Sequence, residues 1–176
     1  MQELDRSLLH CFKFKVMART KKFTVDDQIQ HFRLVAAQRK ASNAAGLPDN
    51  RGAIHGSERV LGILCQDLCY PGLTHLNNLR HYPKAHFSEA ALQAYMAGEP
   101  VEIEHVSPHR ALTIAAIQKI EDGATDQEFK EYLLCNYKIV LLTKEERRHV
   151  DKHNRSKMEP DRLERHGIRL VLRPAT

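Results

Sequence analysis

Residues 101–108 read Val101-Glu102-Ile103-Glu104-His105-Val106-Ser107-Pro108, and the reading of this octapeptide decides the fold class. Val101, Ile103 and His105 alternate with Glu102 and Glu104, the period of two that a half-buried strand requires. Ser107-Pro108 ends it, because proline has no N–H to give to a ladder. The segments before it follow a different period. Thr24 stands as an N-cap with Asp26 and Asp27 in the first turn, and Ile29, Phe32, Leu34, Val35 and Ala36 predict a helix that runs to Gly46. The turn cluster Leu47-Pro48-Asp49-Asn50-Arg51-Gly52 is the expected hinge. Ser57 opens a second helix through Val60, Leu61, Leu64 and Leu68, which Tyr70-Pro71-Gly72 stops. A shorter helix is expected over Leu73 to Leu79, and Ser88-Glu89 caps another that ends before Gly98.

After the strand, helices are predicted at about 109–121 and about 125–135, split at Asp122-Gly123. Tyr137 to Leu142 is an apolar run with β-branched members. Thr143 caps a helix reaching about Asn154, with Glu145 and Glu146 in its first turn. A short helix from about Asp161 to His166 and a last strand, Ile168 to Leu172, complete the chain. Residues 3–18, with their Phe12-Lys13-Phe14-Lys15-Val16 alternation, fit either a strand or a helix end. The expectation is an α+β protein, mainly helical, with a helical lobe at 1–98 and an α+β unit at 99–176, the two together also able to form one continuous domain.

Composition narrows the class. The chain has 176 residues, no Trp and 6% aromatics, so its core rests on Leu, Ile, Val and Ala. No run approaches the about 20 apolar residues of a spanning helix, and the N-terminus alternates Lys with apolar residues where a signal peptide would be continuous. The expected location is the cytoplasm, with no membrane partner. Four scattered cysteines read as free thiols. The net charge of +5 is concentrated at both ends, which suits a polyanion as readily as it suits simple solubility. There is no glycine-rich phosphate loop, serine nucleophile elbow or dinucleotide fingerprint, which sets aside kinase, dehydrogenase and serine-hydrolase readings.

A carboxylate followed directly by a histidine at a strand end places two chemically useful side chains on opposite faces. Glu104 could hold a cation while His105 points elsewhere. The plainer reading pairs Glu104 with a basic side chain and has His105 cap the following turn. His149 and His153, four apart, share a helix face at metal-compatible spacing. Cys65 and Cys69 also share a face, but among Leu61, Leu64 and Leu68 they read as core. His31, His81, His86 and His166 have no partner at a telling spacing and read as surface or satisfied residues.

The octapeptide resembles the acid-His-hydrophobe-x-Pro strand of HNH, or ββα-metal, nucleases, and Lys138-Ile139-Val140-Leu141-Leu142-Thr143-Lys144-Glu145-Glu146-Arg147 resembles that family's second strand and helix start. The resemblance spans about residues 100–157 and is degenerate. It implies a ββα-metal-like unit in the C-terminal half and divalent-metal-dependent phosphodiester hydrolysis, with Mg²⁺ or Mn²⁺ expected and Zn²⁺ an alternative. Glu104 would be a metal ligand, joined by His149 or His153, and His105 the general base. Arg147, Arg148, Lys152 and Arg155 would meet nucleic acid, DNA ahead of RNA, in a context such as phage defence, restriction or a toxin. Lys138 and Arg147 stand where the family places an Asn and a His ligand. About 30 residues separate the two strands, and zinc-binding cysteine pairs are absent from this stretch. The alternative is a noncatalytic nucleic-acid-binding or adaptor subunit that docks on a larger protein partner.

Overall fold

A computed structural model describes residues 23–154 and 156–173. The chain folds as an α+β protein in which helices dominate and four short strands form one mixed sheet. Helix α1 (Val25–Ala44) starts at Thr24, whose hydroxyl accepts from the Asp27 N–H at 3.1 Å while Asp27 accepts the Thr24 N–H at 2.8 Å. This reciprocal box satisfies two of the orphan donors at a helix start. Helix α2 (His55–Cys69) begins two residues before Ser57, which is itself buried against α1, where its hydroxyl reaches the Val35 carbonyl. Residues Leu76–His81 form a 3-10 turn in place of the expected helix. That stretch follows Pro71-Gly72 and precedes Pro83, too little room for a stable α-helix.

Strand β1 (His86–Ser88) leads directly into α3 (Glu89–Met96), whose N-cap is Ser88. Strand β2 (Glu102–His105), helices α4 (His109–Glu121) and α5 (Asp126–Asn136), strand β3 (Ile139–Leu142), helix α6 (Lys144–His153) and strand β4 (Leu170–Leu172) follow. The sheet order is β2-β3-β1-β4, with β2 antiparallel to β3, β3 parallel to β1 and β1 antiparallel to β4. Strand β1, from the first 98 residues, lies between two strands of the second part, so the two stretches share one sheet.

They also share a core. Ile29 and Phe32 of α1, Leu61 and Leu64 of α2, Leu112 and Ile117 of α4 and Phe129 and Leu133 of α5 pack with Phe87, Ile139 and Leu141 of the sheet. Phe32 stacks on Phe129 with ring centroids 5.5 Å apart. The period of two then sorts the sheet's side chains. Ile139 and Leu141 face this large core, whereas Val140 and Leu142 face a smaller one with Val150 of α6, Leu163 and Ile168. Register transmits the sorting to β2: Glu104 sits opposite Val140 and Glu102 opposite Leu142, while His105 sits opposite Ile139. The two carboxylates therefore lie on the α6 side and the imidazole on the other.

Candidate functional site

On the α6 side, Glu104 is only 8% exposed. A carboxylate taken out of water needs compensating charge and donors, and two arginines supply them. Arg162, 1% exposed, donates from Nη1 to Glu104 Oε1 at 2.7 Å. The same guanidinium donates to the His105 carbonyl at 2.9 Å and, through Nε, to the Asn154 carbonyl at 2.8 Å. Its Nη2 lies 3.5 Å from Asp151. Arg162 thus ties the end of β2 to the C-cap of α6, and all of its charge is spent inside the protein. Arg147 approaches from α6. Its Nη1 donates to Glu102 at 2.8 Å, and its Nε stands 3.3 Å from Glu104 Oε2, an ion-pair contact and not a hydrogen bond. Burial pushes the Glu104 carboxyl above its ordinary value, and the hydrogen bond and charge of Arg162 oppose that push.

Helix α6 is placed by its own box: the Thr143 hydroxyl accepts the Glu146 N–H at 3.2 Å and Glu146 accepts the Thr143 N–H at 2.8 Å. The same Glu146 carboxylate takes a 2.6 Å hydrogen bond from Ser88 of β1. One acidic residue therefore serves the helix start and fixes the helix against the sheet.

On the opposite face, His105 packs edge-on to Tyr137, with centroids 5.8 Å apart, and 5.5 Å from His109 at the start of α4. Burial pulls its imidazole down to about 4, with the nearby His109 and Arg147 charges adding to the effect. A cleft of about 480 Å³ opens beside it, bordered by His55, Glu58, Gly62, Gln66, His109 and Tyr137. Gly62 keeps that wall close, because a Cβ at that position would stand 3.2 Å from His109 Nε2. Tyr137 keeps a buried hydroxyl without a hydrogen-bond partner among the described residues.

The expected site residues thus divide into three places. Glu104 joins Arg147 and Arg162; His105 joins His109 and Tyr137; His149 and His153 come together with His166 on an exposed corner. Glu104 is not a member of the histidine group, the one set of three metal-competent side chains among the described residues. Arg148 and Lys152 are exposed on the outer side of α6, Arg147 is turned inward, and Arg155 lies outside the described residues. The described residues carry twenty Lys/Arg and twenty Asp/Glu. Burial raises the Cys65 thiol well above its ordinary value and the Cys69 thiol to about 11, so neither offers a ready thiolate to a metal.

Sequence reasoning missed Arg162, Asp151, His109 and His166. A faint signal existed for Arg162, which follows Pro160-Asp161 in a tail of otherwise solvated charges, but nothing in the spacing points across to Glu104. Compared with protein-family models, with curated proteins and with solved structures, the chain finds no match.

Proposed function

We propose that the protein is a noncatalytic nucleic-acid-binding or adaptor subunit in which the Glu104-His105 pair is structural. One observation carries this reading: both oxygens of Glu104 are taken by guanidinium groups, Oε1 by Arg162 and Oε2 by Arg147. Arg147 stands at the helix position where the HNH resemblance calls for a histidine ligand, and its fixed positive charge lies between Glu102 and Glu104. A guanidinium cannot be deprotonated in a protein and neither coordinates a metal nor activates water. It satisfies the carboxylates without giving the site a Lewis acid.

Charge placement supports nucleic acid as the partner. Residues 1–22 hold six Lys/Arg against two Asp/Glu, with Phe12 and Phe14 interleaved, and residues 143–176 hold ten against six. Such a segment neutralises phosphates without reading sequence. The test is fluorescence anisotropy on a labelled DNA duplex across a salt series. Affinity is expected to fall steeply with salt, and the quadruple change of Lys13, Lys15, Lys21 and Lys22 to Gln is expected to flatten the slope by about four phosphate equivalents. A salt-independent affinity, or an unchanged slope in the variant, contradicts the binding half of the proposal.

The second reading is metal-dependent phosphodiester cleavage with His105 as base. Its support is the cleft beside His105, which would give a substrate access to a neutral imidazole, while burial leaves that imidazole a weaker base than a free one. It requires an ion to displace Arg147 from Glu104. Plasmid DNA and RNA incubated with Mg²⁺ or Mn²⁺ decide the matter: cleavage that needs the metal and is lost in His105→Ala supports this second reading over the first.

A further inference from the structure

We propose that His149, His153 and His166 form a binding site for one transition-metal ion of the zinc class, separate from the Glu104 network and independent of the function proposed above. The three rings make a nearly equilateral triangle, with centroids 4.5 Å apart for His149 and His153 and 4.9 Å from each of these to His166. One ligand nitrogen from each ring falls within 4.8 Å of the other two. A tetrahedral ion with metal–nitrogen bonds of about 2.0 to 2.1 Å draws its ligands to roughly 3.3 Å from one another. The remaining closure is small, and His149 and His153 are exposed enough to make it by side-chain rotation.

Local structure sets the triangle. His149 and His153 sit one helical turn apart on α6. His166 ends the 3-10 turn Glu164–His166, and Gly167, at φ 71°, reverses the chain into β4 directly after it. The His153 tautomer is fixed as well. Its Nδ1 lies 2.8 Å from the His149 carbonyl, which can only accept, so Nδ1 carries the proton and Nε2 presents its lone pair. A backbone carbonyl holding one ring nitrogen so that the other can ligate is the usual outer support of a histidine metal ligand.

The donor set selects the ion. Three imidazoles with no carboxylate in the group suit Zn²⁺, Co²⁺, Ni²⁺ or Cu²⁺, whereas Mg²⁺ and Ca²⁺ demand oxygen ligands. Three protein ligands leave the fourth position to water. The bound ion links α6 to the turn that feeds β4, so binding stabilises the C-terminal closure of the fold.

The experiment uses the full chain without a polyhistidine tag, titrated with Zn²⁺ in competition with a chromophoric chelator, and with Co²⁺ followed by its visible absorption. Expected are one Zn²⁺ per chain, no competition from excess Mg²⁺, and the intense visible bands of four-coordinate Co²⁺. His153→Gln and His166→Gln are each expected to lower affinity roughly tenfold or more, while His31→Gln, on the exposed side of α1, does not. Zn²⁺ is also expected to raise the melting temperature of the wild type and not of His166→Gln. The proposal is overturned by absence of Zn²⁺ binding, by equal affinity in wild type and His166→Gln, or by Mg²⁺ displacing Zn²⁺.

Discussion

The two faces of β2 carry consecutive residues and opposite chemistry. Glu104 is buried and held by two arginines on the α6 side, whereas His105 is driven neutral by burial against Tyr137 and His109 on the side of α2 and α4. One strand position separates a carboxyl group paired with guanidinium groups from an imidazole held neutral. Perturbed ionisation therefore does not by itself mark an active site, since structural ion pairs and plain burial produce it too.

Removing Arg162 should disturb the Glu104 side most. Arg162→Met leaves Glu104 buried with only the half-exposed Arg147, and a loss of about 3 to 5 kcal/mol in urea unfolding is expected. Adding Glu104→Gln should recover part of that loss, because the uncompensated charge is then gone; full additivity of the two changes would deny the coupling.

The His105 face yields a pH dependence. The unfolded imidazole takes its ordinary value of 6.5, and the folded one is held at about 4. Protons thus bind the unfolded chain preferentially between these values. The contribution is complete above pH 6.5 and is lost as pH falls toward 4, on the order of 2 to 3 kcal/mol in all. Comparing unfolding at pH 7.5 and pH 4.5, wild type should lose more stability than His105→Gln by that amount. Equal losses would mean that His105 is not insulated from water.

Smaller effects sharpen the picture. Thr143→Ala removes the hydroxyl that starts α6 and should cost about 1 kcal/mol in the same assay. Arg147→Ala should cost less, roughly 0.5 to 1 kcal/mol, because the side chain is 43% exposed and solvent screens its pairs. High salt should erase the Arg147 effect while leaving that of Arg162 nearly intact.

Much of the fold was legible because its elements carry local signals. Thr24 and Thr143 each start a helix with acidic residues in its first turn and form a reciprocal box with the carboxylate three residues on, as Thr125 also does. The alternation at 101–105 and the apolar run before Thr143 both become paired strands. Strand β1 was not legible: three residues are too short to show a period, and its place between β3 and β4 depends on neighbours more than fifty residues away. The Glu104-His105 pair was visible, but its environment was not. Arg162 reaches Glu104 across 58 residues, and His166 joins His149 and His153 from a separate 3-10 turn. Spacing reports contacts within a helix or strand, and these contacts are made between elements. The basic ends also misled in part, since the tail from Arg147 onward spends much of its charge on Glu102, Glu104, Asp151, Glu159 and Asp161.

The proposed function rests on guanidinium groups, and not a metal ion, compensating Glu104. Mn²⁺ titration followed by electron paramagnetic resonance, comparing wild type with Glu104→Gln, tests it most directly. The same Mn²⁺ affinity is expected for both proteins. A site present in the wild type and lost in Glu104→Gln, with the variant still folded by circular dichroism, would contradict it.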